Sequence, residues 1–111
     1  MEIRVLLIKP GENPSVVEVE DRLKSHQELV DGYIKMVHLT QDVALLCNEE
    51  GKIREMKPNR HFNLPFFKDI VCGNIVIVGI NNETGEFDSL TAEQVAHFTD
   101  VFKDKFCVSE V

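Results

Sequence analysis

A chain of 111 residues with 43% apolar and 28% charged residues has the make-up of one soluble globular domain, large enough to bury a core. Twelve basic residues against 19 acidic ones give a formal net charge of −7, which repels nucleic acid over most of the surface and excludes general DNA or RNA binding. No apolar run approaches the ~20 residues of a membrane span, and Met1–Ile8 has the flanks of a first strand instead of a signal peptide.

In chain order, Ile3–Ile8 is apolar on both alternating faces, as in a strand inside a sheet. Pro10–Pro14 is dense turn chemistry and Ser15–Glu20 alternates, so the N-terminus reads as a hairpin. Asp21 is placed to cap a helix over Arg22–Asp31, with Leu23, Val30 and, less centrally, Leu29 on its buried stripe and Gly32 as the left-handed residue that ends it. Tyr33–Leu39, the turn Thr40–Asp42 and Val43–Cys47 form a second hairpin closing in the polar turn Asn48–Gly51. On Tyr33–Leu39, His38 shares a face with Ile34 and Met36 and reads as a core or interface histidine.

The pattern then dissolves. Lys52–Lys68 contains Pro58 and Pro65 and no clean period, and reads as a long loop with one helical turn at most. Asn74–Ile80 (N-I-V-I-V-G-I) is the clearest strand of the chain, and Asn81–Gly85 is a turn. Thr91 with Gln94 three residues later is a capping box, and Val95, Phe98, Val101, Phe102 and Phe106 mark the stripe of the helix it opens. The predicted class is α+β: a mostly antiparallel sheet of about five strands with two helices, in the order ββαββ–loop–βα, with a β-grasp-like topology as the alternative.

The charge is uneven. Lys52–Lys68 holds five basic residues against the single acid Glu55, while Glu83–Val111 holds seven acids against Lys103 and Lys105. A basic segment in an acidic chain suits a small anion or an acidic partner. Within it Arg60 offers a planar five-donor fork and Asn59 a donor and acceptor beside it, with His61 next in line. The competing reading makes Arg60 a structural residue that pins the loop to carbonyls or to Glu49 and Glu50. Asn48, Glu49 and Lys52 join the candidate binding surface, although Asn-Glu-Glu-Gly is also ordinary turn chemistry. Phe62, Phe66 and Phe67 either stack on a ligand or fold the loop back over the sheet.

No histidine has metal-ligand spacing to a cysteine, and the three cysteines form no disulfide framework, so neither metal nor cofactor is expected and the thiols read as reduced in a bacterial-type cytoplasm. Cys47 and Cys72 stand in apolar contexts where a thiol is inert. No feature of the chain specifies an oligomeric state.

The runs Glu28–Ile34, Ala44–Lys52 and Pro58-Asn59-Arg60, followed by Gly73–Gly79 and Phe87–Gln94, resemble a small bacterial and phage family known as domain-of-unknown-function family 3846. The first helix, with Ser25-His26, and the aromatic segment His61–Lys68 depart from that pattern. The resemblance implies a component of phages, plasmids or conjugative elements and carries over no catalytic residue. The expected function is thus a non-enzymatic binding module that contacts a host protein or a small anionic ligand through Lys52–Lys68. The alternatives are an acidic nucleic-acid mimic acting through Glu83–Val111 and a small nucleotide-processing enzyme. On the leading reading, Arg60→Ala abolishes binding and leaves the melting temperature nearly unchanged.

Overall fold

The structure, a computed structural model, describes residues 1–111. Its elements are β1 (Glu2–Ile8), β2 (Ser15–Glu20), α1 (Leu23–Val30), β3 (Ile34–His38), β4 (Val43–Asn48), β5 (Pro58–Leu64), β6 (Phe67–Cys72), β7 (Ile75–Ile80), β8 (Phe87–Asp88), α2 (Ala92–Phe102) and β9 (Cys107–Val108). The class is α+β, as the sequence predicts. One sheet runs β2-β1-β7-β4-β3 with β8 attached to β7, and a second, smaller one runs β6-β5-β9.

Alternation explains the layers. On β7, Ile75 and Ile77 face a core of 15 buried residues that also holds Leu45 of β4, Phe62 and Leu64 of β5, and Phe98 and Phe102 of α2. Val76, Val78 and Ile80 face the other way, into a core of eight residues closed by Val30 of α1. Both faces of β4 and β7 are therefore buried, which is why these strands read as continuous apolar runs. The central sheet thus lies between α1 on one side and the small sheet with α2 on the other. All its pairings are antiparallel, with β7 between β1 and β4. A β-grasp-like arrangement, whose central neighbours run parallel, is not adopted.

The long loop predicted over Lys52–Lys68 is mostly a hairpin. Pro58 opens β5, Pro65 and Phe66 make the turn, and β6 follows. Two things hid it. The register shifts between Pro58 and Arg60, so the adjacent side chains Asn59 and Arg60 are both buried and the period of two breaks. Those two inward residues are also polar, so only Phe62 and Leu64 carry the apolar signature of the buried face.

The first helix needs three corrections. Arg22, with no side-chain cap bond, occupies the N-cap, while Asp21 Oδ1 lies 3.2 Å from His26 Nε2. Its buried residues are His26 and Val30, one helical turn apart, whereas Leu23 is 65% exposed. His26 packs edge-on against Phe87 at 5.0 Å, and its Nδ1 has no partner. The left-handed C-cap is Asp31 (φ 60°), while Gly32, at φ 150°, is required for a different reason: a Cβ there would stand 2.7 Å from Asn48 Nδ2. His38 is exposed on the edge strand β3, outside the core.

The capping box of α2 is formed as predicted: Gln94 N–H donates to Thr91 Oγ1 at 3.1 Å, and Thr91 N–H donates to Gln94 Oε1 at 2.8 Å. Thr91→Ala is expected to lower stability by about 1 kcal/mol, read as a drop of roughly 4–8 °C in melting temperature by circular dichroism. The helix stops at Phe102, and Asp104 (φ 55°) turns the chain back, so Phe106 lies beyond the buried stripe and is 50% exposed. No helix is long and apolar enough to cross a membrane.

Candidate functional site

The irregularity at the start of β5 aims Asn59 and Arg60 inward, where they link three parts of the chain. Asn59 Nδ2 donates to the carbonyls of Ile8 and Gly73, both at 2.8 Å. Arg60 Nη1 donates to the Asn59 carbonyl at 3.0 Å and to Asn59 Oδ1 at 2.8 Å. Arg60 Nη2 donates to the carbonyls of Glu12 and Phe102, both at 3.0 Å. Phe102 ends α2, so the cation also meets the negative end of the helix dipole. One side chain thereby joins the β1–β2 turn, β5 and the end of α2.

Arg60 is 4% exposed, Nε has no partner, and no carboxylate pairs with it. Burial lowers its pKa from the ordinary guanidinium value, and no buried anion opposes that. Above it opens a cleft of about 370 Å³. Lys57 and Lys105 stand exposed on its rim with Glu12, Asp104 and Phe106. The wall between the β1–β2 turn and the end of α2 is held by a reciprocal pair: Asn13 Nδ2 donates to Asp104 Oδ1 at 3.2 Å, and Asp104 N–H donates to Asn13 Oδ1 at 2.9 Å.

The other candidate residues lie elsewhere. Asn48, Glu49 and Lys52 line a separate cleft of about 250 Å³ with Lys35, Asp69, Cys47 and Cys72. Asn48 is a structural amide there: Nδ2 donates to the carbonyls of Val30 and Asp31 at 3.0 Å each, and Oδ1 accepts from Glu50 N–H at 2.7 Å. Lys52 pairs closely with Asp69, and Lys35 reaches the same carboxylate at 4.0 Å while lying 5.5 Å from the centre of the Phe67 ring. Burial pushes the Cys47 thiol up to about 11, so it is protonated at neutral pH. His61 belongs to neither cleft; its Nδ1 lies 4.0 Å from Cys107 Sγ on the exposed side of β5.

The hydrogen bond from Lys52, helped by that from Ile70 N–H, holds the Asp69 carboxyl below its ordinary 3.8. A depressed carboxyl contributes stability that is present above 3.8 and lost as pH falls through its lower folded value. Asp69→Asn should therefore cost stability at pH 7 and little at pH 2, so wild type and variant unfold at converging urea midpoints on acidification. A gap unchanged down to pH 2 would remove this pair from the acid response.

Sequence reasoning thus gathered in one surface residues that the fold distributes over three places. It missed Lys105, Phe106, Asp104, Glu12 and Asn13 as neighbours of Arg60. They are more than 40 positions away in the chain, and Lys105 and Phe106 sit in a segment whose summed charge is acidic. No group of three or more His, Cys, Asp or Glu side chains is placed to hold a metal ion.

No curated protein and no solved structure matches the chain. The family model for the domain of unknown function DUF3846 matches residues 3–103, which include β1 from Ile3 on, the Asn59–Arg60 pair and all of α2. The resemblance read from Glu28–Ile34, Ala44–Lys52 and Pro58–Arg60 is thereby borne out, and the chain belongs to the DUF3846 family.

Proposed function

We propose that this domain is a non-catalytic binding module that takes a small anion in the cleft above Arg60. The observation that carries the reading is a buried guanidinium without a carboxylate, beneath an open cleft with two exposed lysines on its rim. A charge held in low dielectric acts more strongly on its surroundings than one in water, and an anion near the cleft floor supplies the missing counter-charge. The four terminal N–H groups of Arg60 are occupied by oxygen atoms of the protein, so Lys57 and Lys105 make the direct contacts and Arg60 contributes field. In a phage, plasmid or conjugative element, which the resemblance implies, such a module acts by sequestering the ligand or by docking an acidic segment of a host protein.

The test is a thermal-shift titration with orthophosphate and succinate at low salt, on wild type and on Lys57→Ala/Lys105→Ala. Ligand at 100 times its dissociation constant stabilises by about 2.7 kcal/mol, a shift on the order of 10 °C for a domain of this size. The double variant should keep its own melting temperature and lose the shift, and added salt should weaken the wild-type response. A flat wild-type titration with both anions sinks the proposal.

A further inference from the structure

Taking the anion cleft above Arg60 as its basis, we infer that the ligand is a nucleoside monophosphate, with its phosphate between Lys57 and Lys105 and its base against Phe106. A volume of about 370 Å³ is far more than a bare oxyanion fills, and it falls in the ~300–1,000 Å³ range of pockets for organic ligands. Phe106 is the lining residue that charge recognition leaves unexplained. It is half exposed, it follows Lys105 directly, and its carbonyl accepts a hydrogen bond from His61 N–H at 2.8 Å, which fixes the backbone that carries it. An aromatic face held beside cations is the arrangement that stacks a base while the charges take its phosphate.

The acidic lining residues decide the number of phosphates. Three cations, Lys57, Arg60 and Lys105, stand against the carboxylates of Glu12 and Asp104, leaving one excess positive charge. That balance suits a monophosphate and repels a triphosphate. The Glu12 carboxylate and Asp104 Oδ2 engage no protein group, so they are acceptors for sugar hydroxyls or a base amine. The net charge of −7 favours a free nucleotide over a nucleic-acid strand.

Isothermal titration of the full chain with AMP, CMP, orthophosphate, adenosine and an eight-nucleotide oligothymidine tests this. AMP and CMP should bind more tightly than orthophosphate, and adenosine should not bind. Phe106→Ala should weaken AMP by about 5- to 100-fold and leave orthophosphate unchanged, while Phe106→Tyr restores AMP binding. Unchanged melting temperatures in both variants establish that the fold is intact. Orthophosphate binding as tightly as AMP, with Phe106→Ala neutral, overturns the nucleotide assignment and leaves the anion reading standing. Binding of the oligonucleotide without AMP also overturns it. Failure of all five probes to bind overturns the nucleotide assignment, and a flat succinate titration beside it removes the anion reading as well.

Discussion

Arg60→Ala should lower the melting temperature by on the order of 15 °C, corresponding to about 3 kcal/mol for a domain of this length. Truncation removes the Arg60 donors from the Glu12 carbonyl and from the carbonyl and amide oxygen of Asn59, and leaves the Phe102 carbonyl with only the 3.4 Å bond from Lys105 N–H. Each buried acceptor so orphaned costs about 1–3 kcal/mol. The sum is not the expected loss, because removing a buried cation that has no counter-charge recovers part of it. Arg60→Lys separates charge from geometry. Lysine keeps the cation but has no fork to span two carbonyls, so it should recover less than half of the stability. Differential scanning calorimetry on the three proteins measures this directly. A melting temperature unmoved in Arg60→Ala would mean that the guanidinium is not a clamp, which is the outcome the binding reading of the sequence expects and the competing structural reading does not. The geometry also makes Lys57 and Lys105 the cleaner probes of binding, since neither holds the fold together.

Phe62→Ala should cost about 3–5 kcal/mol, and Phe66→Ala should stay within about 0.5 kcal/mol of wild type in urea unfolding. Phe62 is fully buried, lies 6.0 Å from the Phe102 ring and 5.5 Å from that of Phe67, and joins the small sheet to α2. Its removal opens a cavity where two layers meet. Phe66 is 56% exposed in the β5–β6 turn. Equal effects from the two substitutions would contradict this packing. The sequence left these phenylalanines between stacking on a ligand and folding a loop onto the sheet; Phe62 does the second as a strand residue, and the aromatic ring at the cleft is Phe106.

What the chain shows on inspection is what short-range physics decides. β7 is legible because a β-branched run buried on both faces needs no partner to be recognised. The α2 start is legible because Thr91 and Gln94 satisfy each other's backbone donors across three residues. The N-terminal hairpin follows from turn residues between alternating segments. The family, too, is visible in local runs, and the model match over residues 3–103 agrees with them.

The small sheet and the candidate site were decided by tertiary structure. A polar pair turned inward by a register shift looks like loop in one dimension, and becomes a strand only when Ile8, Gly73, Glu12 and Phe102 supply its acceptors. The helix stripe formed around His26 instead of Leu23 because Phe87 and Asp21 lie beside the histidine in space. The cleft joins residues 12, 57, 60, 105 and 106, whose separations no local period records. Composition and spacing determined that this is an acidic α+β domain with a basic segment. Which cation is buried as a clamp, and which stand free above it, was set by long-range hydrogen bonds that form only when the chain closes on itself.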